Sequence, residues 1–151
     1  MITFHHTRRI SVVIAVAAAA ISMVGCSGMM MKSNSTEFVA TLTGAAEVPP
    51  VAGAGSGALT ASLNKDTSEL SWKITYSGLT GPATAAHFHG PALAGANAGV
   101  VLGFDSASSP IEGKATLTAA QVADLMAGKW YANVHTAFNK GGEIRGQVAA
   151  K

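Results

Sequence analysis

From Phe38 onward, apolar and polar residues alternate with a period of two, the mark of strands with one face on a core and the other in water. Leu70, Trp72, Ile74 and Tyr76 are large and apolar, while Ser71, Lys73, Thr75 and Ser77 between them are polar. Phe38, Ala40 and Leu42 alternate in the same way, as do Leu59, Ala61 and Leu63. Further strands are predicted over 85–89, 100–104, 111–117, 130–136 and 143–148, separated by turn clusters such as Asn64-Lys65-Asp66, Gly81-Pro82, Gly90-Pro91 and Asn139-Lys140-Gly141-Gly142. This spacing predicts an all-β fold, an antiparallel β-sandwich of seven to eight strands with Greek-key-like order. One helix interrupts it near residues 119–127. Thr118 and Gln121 form a capping-box pair, Val122, Leu125 and Met126 repeat at helical spacing, and Gly128 stops the element.

The first residues follow a different pattern. Arg8 and Arg9 precede an uncharged apolar run over 10–24, and the run ends at Met23-Val24-Gly25-Cys26. A run of about 15 residues suits the apolar core of a secretory signal and is short of the roughly 20 a spanning helix needs. The segment resembles the lipobox of bacterial lipoproteins, with Met23 in place of the usual leucine. The resemblance implies a signal peptide over 1–25, lipidation of Cys26 and a membrane partner reached through that lipid. Cys26 is the chain's single cysteine, so it has no internal disulfide partner, which fits a thiol that carries lipid. Ser27 is not the aspartate that retains many lipoproteins in the inner membrane, so the family rule points to the outer membrane, on its periplasmic face or at the cell surface. Residues 26–36 are small, polar and aperiodic, and read as a flexible tether to a domain over 37–149. Met29, Met30 and Met31 within it are thioethers of the kind copper(I) favours, but a plain tether is the simpler reading.

Charge narrows the partners. The whole chain carries ten Lys and Arg against eight Asp and Glu. Loss of Arg8 and Arg9 with the signal would leave the two signs balanced, so no basic patch for nucleic acid is expected. A glycine-rich stretch over 94–99 is followed by no helix signal and is not a phosphate loop. No serine, histidine and acid arrangement marks a catalytic nucleophile, and no catalytic residue is assigned.

Beyond the apolar run, the histidines are His87, His89 and His135. On a strand, His87 and His89 share a face, with Ala86 and Phe88 opposite. Tyr131, Asn133 and His135 likewise share the polar face of the next candidate, and Glu143, Arg145 and Gln147 that of the last. If the last two strands form a hairpin, residues facing each other have an even sum of numbers, which allows Asn133 opposite Arg145 and His135 opposite Glu143 or Arg145. With the His87/His89 strand adjacent, three imidazoles and a carboxylate would converge. That set suits a first-row transition ion such as copper, zinc or iron, with Glu143 as an optional ligand and Asn133 and Arg145 in supporting roles. The alternative is polar strand residues making ordinary hydrogen bonds, with Glu143 serving as the ion-pair partner of Arg145.

Four segments in order carry a family resemblance: Gly44-Ala45-Ala46-Glu47-Val48-Pro49-Pro50, Ala86-His87-Phe88-His89-Gly90-Pro91-Ala92, Tyr131-Ala132-Asn133-Val134-His135-Thr136 and Gly141-Gly142-Glu143-Ile144-Arg145-Gly146-Gln147. Together they resemble the CHRD domain, named after chordin, over roughly 37–148. The cysteine-rich modules that accompany it in chordin are absent here, so growth-factor antagonism does not carry over. A more local resemblance links Ser77-Gly78-Leu79-Thr80 and Ala86-His87-Phe88-His89 to the strand of copper-zinc superoxide dismutases that bears their copper histidines. The dismutases' long zinc loop, disulfide and fourth copper histidine are missing, so a complete dismutase site is not expected.

The reading that combines these features is a lipid-anchored envelope domain acting as a binding module, with copper or another first-row metal as candidate cofactor. A superoxide dismutase-like redox enzyme and a purely structural or adhesive domain are the alternatives.

Overall fold

The computed structural model describes residues 1–3 and 34–151. The expected signal peptide, Cys26 and most of the tether lie outside the described residues. Among those described, no helix is long and apolar enough to cross a membrane.

Among the described residues, nine strands and one α-helix follow in chain order: β1 (Ser35–Thr43), β2 (Ser56–Asn64), β3 (Glu69–Ser77), β4 (Ala83–His89), β5 (Val100–Gly103), β6 (Ile111–Thr116), α1 (Ala119–Met126), β7 (Tyr131–Thr136), β8 (Ile144–Gln147) and β9 (Ala149–Ala150). All eight predicted strands are present. The ninth is the two-residue β9, too short to carry a periodic signal, which pairs with β1. A 3-10 turn at Gly44–Ala46 also went unpredicted. β1 takes in Ser35 and Thr36, which read as tether in sequence because neither is apolar.

The strands run in the order β5-β4-β7-β8-β1-β2-β3-β6, and every pairing is antiparallel. β1, β2 and β3 form a meander in continuous register, with Phe38 opposite Ala61 and Ala61 opposite Trp72. β8 then returns from far along the chain to lie beside β1, the ordering of a Greek key. It meets β1 at one register pair, Thr43 with Arg145, so the sheet folds over there into two layers.

The aromatic contacts show the closure. Trp72 on β3 and Phe88 on β4 lie near opposite ends of the strand order, yet their rings meet edge to face at 5.5 Å. Phe88 also touches Phe104 at 4.9 Å and Trp130 at 5.6 Å. Leu42, Leu59, Leu63, Leu70, Ile74, Val134 and Ile144 complete a core with almost no solvent contact. Gly113 on β6 is required by this packing, because a Cβ there would strike the Trp72 ring. α1 carries its predicted capping box, with the Thr118 hydroxyl accepting from the Gln121 N–H and the Gln121 side chain accepting from the Thr118 N–H, and it sends Leu125 into the core.

The two layers differ in what covers their outer faces. In β2 and β3 the polar residues of the alternation face water. In β7 and β8 both faces are buried, so Asn133 and Arg145 are enclosed although they point away from the core. The cover comes from two irregular segments, 44–51 and 90–99.

Phe88 joins the layers, so Phe88→Ala is expected to destabilise the fold by about 3–5 kcal/mol, read as a lower denaturant midpoint with an unchanged slope in urea unfolding.

Candidate metal centre

Register places the site. β4 pairs with β7 so that His87 faces Asn133, His89 faces Tyr131 and Ala85 faces His135. β7 pairs with β8 so that Asn133 faces Arg145 and Tyr131 faces Gln147. The parity expected for the last hairpin holds, and His135 lies one step diagonally from His87 on the same face. An irregularity in the pairing of β4 with β5 falls between Phe88 and His89.

The three imidazoles meet. Their ring centroids are 5.0 Å apart for His87 and His135, 5.5 Å for His87 and His89, and 6.2 Å for His89 and His135. One ring nitrogen from each lies within 4.8 Å of the others. His89 is buried, and His87 and His135 are half-buried.

Backbone carbonyls set the tautomers. His89 Nδ1 is 3.0 Å from the Ala98 carbonyl, and His135 Nδ1 is 2.9 Å from that of Lys140. A carbonyl oxygen only accepts, so both Nδ1 atoms carry the proton and both Nε2 atoms keep a lone pair. His135 Nε2 is 3.1 Å from His87 Nδ1, which donates to it. His89 Nε2 is buried and has no hydrogen-bond partner. Burial holds the His87 and His135 pKa values below the ordinary imidazole value. The charge a neighbouring histidine would carry adds to this at both, the Lys140 carbonyl opposes it at His135, and the neutral, ligating form is favoured.

A layered stack fixes the third ring. His89 lies parallel to Tyr131, with centroids 4.8 Å apart and planes 3° from parallel. The Arg145 guanidinium sits 3.4 Å from the Tyr131 ring centroid, a cation–π contact. Arg145 donates to Asn97 Oδ1 at 2.8 Å and to the Ala96 carbonyl. The Tyr131 hydroxyl bonds the backbone of Ala98, the residue whose carbonyl holds His89.

Glu143 does not join the histidines. Its carboxylate accepts from the Thr80 N–H at 2.7 Å, the Thr80 and Thr136 hydroxyls at 2.6 Å each, and Asn139 Nδ2 at 3.0 Å. The expected ion pair with Arg145 is also absent among the described residues, because these four donors hold the carboxylate at the turn around Thr80. Burial would raise the Glu143 pKa, but the hydrogen bonds outweigh it and bring the value down to about 2.

The acid on which the Arg145 charge acts is Glu47, which sequence reasoning passed over as part of a motif without a role. Glu47 is buried, and its Oε1 has no hydrogen-bond partner. Burial pushes its pKa up to about 7, against the lowering effect of Arg145 and of the Val48 backbone. A Cβ at Gly142, whose φ is +129°, would collide with Glu47 and Asn133, so glycine is needed there on two counts. Tyr131, as the support of His89, was likewise missed; its in-register place opposite His89 was the available signal.

A family model described as CHRD domain matches residues 38–148, which span every element from the first core residue of β1 to the end of β8. No curated protein and no solved structure matches the chain.

Glu143 sets a pH dependence. Its folded pKa lies below its unfolded one, so its stabilisation is complete above about pH 4.5 and is lost as pH falls toward 2. The contribution is on the order of 3 kcal/mol. Urea unfolding between these pH values is expected to show that slope in the wild type and a flatter one in Glu143→Gln.

Proposed function

The chain belongs to the CHRD domain family, and we propose that this member is a lipid-anchored envelope module that binds a first-row transition ion, copper foremost, through His87, His89 and His135. The observation that carries the reading is His89 Nε2. It is a buried lone pair without a donor, in a ring whose other nitrogen is committed to a carbonyl and whose plane is fixed by Tyr131. A histidine oriented through its second nitrogen by a backbone carbonyl is the usual support of a metal ligand, and His135 has the same support from Lys140.

Dimensions favour it too. Metal–imidazole bonds of about 2.0–2.1 Å allow ligand nitrogens up to roughly 4 Å apart. The 3.1 Å between His87 Nδ1 and His135 Nε2 is already inside that limit, and the 4.8 Å outer separation closes with small ring rotations. An ion would replace the proton shared by those two nitrogens. An all-nitrogen set suits copper, zinc or iron over magnesium or calcium. Glu143, held by four donors elsewhere, is left out of the ligand set.

Membrane attachment through Cys26 is the second part of the reading, supported by the apolar run and the Met23-Val24-Gly25-Cys26 junction, with Ser27 favouring the outer membrane. A copper-dependent redox enzyme is the second reading. It is favoured by the half-exposure of His87 and His135, which leaves the ions' approach side open to solvent and small reactants.

Elemental analysis after periplasmic expression is expected to find about one ion per chain, with copper exceeding zinc, and a loss of it in His87→Ala/His89→Ala. Equal metal content in the two proteins would overturn the metal reading and leave the structural or adhesive one. Superoxide consumption by copper-loaded protein above that of free copper would favour the enzyme. Cys26→Ser is expected to release the protein from the membrane fraction, and unchanged membrane association would overturn the lipid anchor.

A further inference from the structure

Beside the histidines, on the same outer face of β7 and β8, lies a cleft of about 430 Å³ between residues 45–50 and residues 94–95. We propose that this cleft is a second ligand site, and that it takes a neutral polyhydroxylated molecule, a saccharide unit.

Three polar side chains from two segments converge on its lining: Glu47 from the 44–51 segment, and Arg145 and Gln147 from β8. Glu47 and Arg145 are buried to 5% and 2% exposure. The remaining walls are small and mostly apolar, formed by Ala45, Ala46, Val48, Pro50, Ala94 and Gly95. Apolar walls with a few convergent polar groups, in a volume of several hundred cubic ångströms, are the usual features of small-molecule sites.

The polar groups select the ligand. Gln147 Nε2 is committed to the carbonyls of Ala92 at 2.9 Å and Gly128 at 2.8 Å, while its Oε1 is buried without a donor. Glu47 Oε1 is a second acceptor without a donor. Both oxygens are enclosed, Glu47 Oε1 against Gly142 and Asn133, and a ligand that carries hydrogen-bond donors would give each a partner once its side chain turns to the cleft. A cation would face Arg145, and an anion would face Glu47 whenever that carboxyl is ionised. The two opposed charges leave uncharged donors as the fitting partners, and hydroxyls on a ring whose C–H faces suit alanine, valine and proline walls meet both demands.

The cleft is also held open before any ligand arrives. Asn97 Nδ2 donates to the Val48 carbonyl at 2.9 Å, tying the two wall segments together. Arg145 and Gln147 hold the 92–97 segment from below. A pre-formed wall lowers the ordering cost of binding.

The test is an NMR titration of the isotope-labelled full chain, treated with a chelator, against the neutral disaccharides cellobiose, maltose and N,N′-diacetylchitobiose. Chelation separates this site from the metal reading, so each can fail alone. Binding of at least one disaccharide is expected, with amide shifts confined to 44–51, 92–98 and 145–147. Ala94→Leu, which fills an exposed wall without touching the polar groups, is expected to weaken binding at least roughly tenfold with the thermal midpoint unchanged. No localised shifts at about 50 mM of any of the three, equal binding by a folded Ala94→Leu protein, or tighter binding of glucosamine or glucuronate than of the neutral sugars would overturn the proposal.

Discussion

A guanidinium at 2% exposure must be surrounded by acceptors, because a buried charge without partners costs several kcal/mol. Arg145 meets that demand with no carboxylate in ion-pair contact among the described residues. It takes a carbonyl from Ala96, an amide oxygen from Asn97 and the face of Tyr131. Each partner has a further effect. Ala96 and Asn97 belong to an irregular segment with little regular pairing of its own, and Arg145, together with Gln147 and the Asn97–Val48 bond, gives it a fixed place. That place puts the Ala98 carbonyl against His89, and Tyr131 holds the same imidazole by its ring. The orientation of a metal-type histidine on β4 thus traces back to a buried cation two strands away.

The fold was readable in the sequence wherever water touches one side of a strand. Leu70 to Ser77 alternates cleanly because Ser71, Lys73 and Thr75 are exposed while Leu70, Trp72 and Ile74 are core. The same alternation in β7 and β8 gave the right faces but the wrong surroundings. Asn133 and Arg145 look like surface residues until the segments 44–51 and 90–99 are laid over them. Those segments are rich in glycine, alanine and proline, and their course is set by side chains distant in sequence, so no periodic signal announces it.

The histidine trio was legible for a different reason. Strand alternation put His87 and His89 on one face, and hairpin parity placed Asn133 opposite Arg145. Only the adjacency of β4 and β7 had to be assumed. Glu143 shows the limit of the same argument, since parity gives a residue's face and not its partners. Its carboxylate was claimed by the turn around Thr80, more than sixty residues upstream, where Thr80 N–H and Oγ1 both reach it. Glu47 is the converse case, a residue inside a recognisable motif whose burial beside a cation is visible only in three dimensions.

The single register pair that joins β8 to β1 has a consequence for how the molecule is assembled. Thr43 and Arg145 are roughly a hundred residues apart, a contact of high order that is slow to form. The local β1-β2-β3 meander can arise from neighbours along the chain, whereas the face bearing the histidines waits for the last strands. Until residue 147 has been delivered and seated, Arg145 holds no loop and braces no Tyr131 ring, and the cleft has no floor. The geometry on which both proposed sites depend is therefore completed only when the last strands are in place.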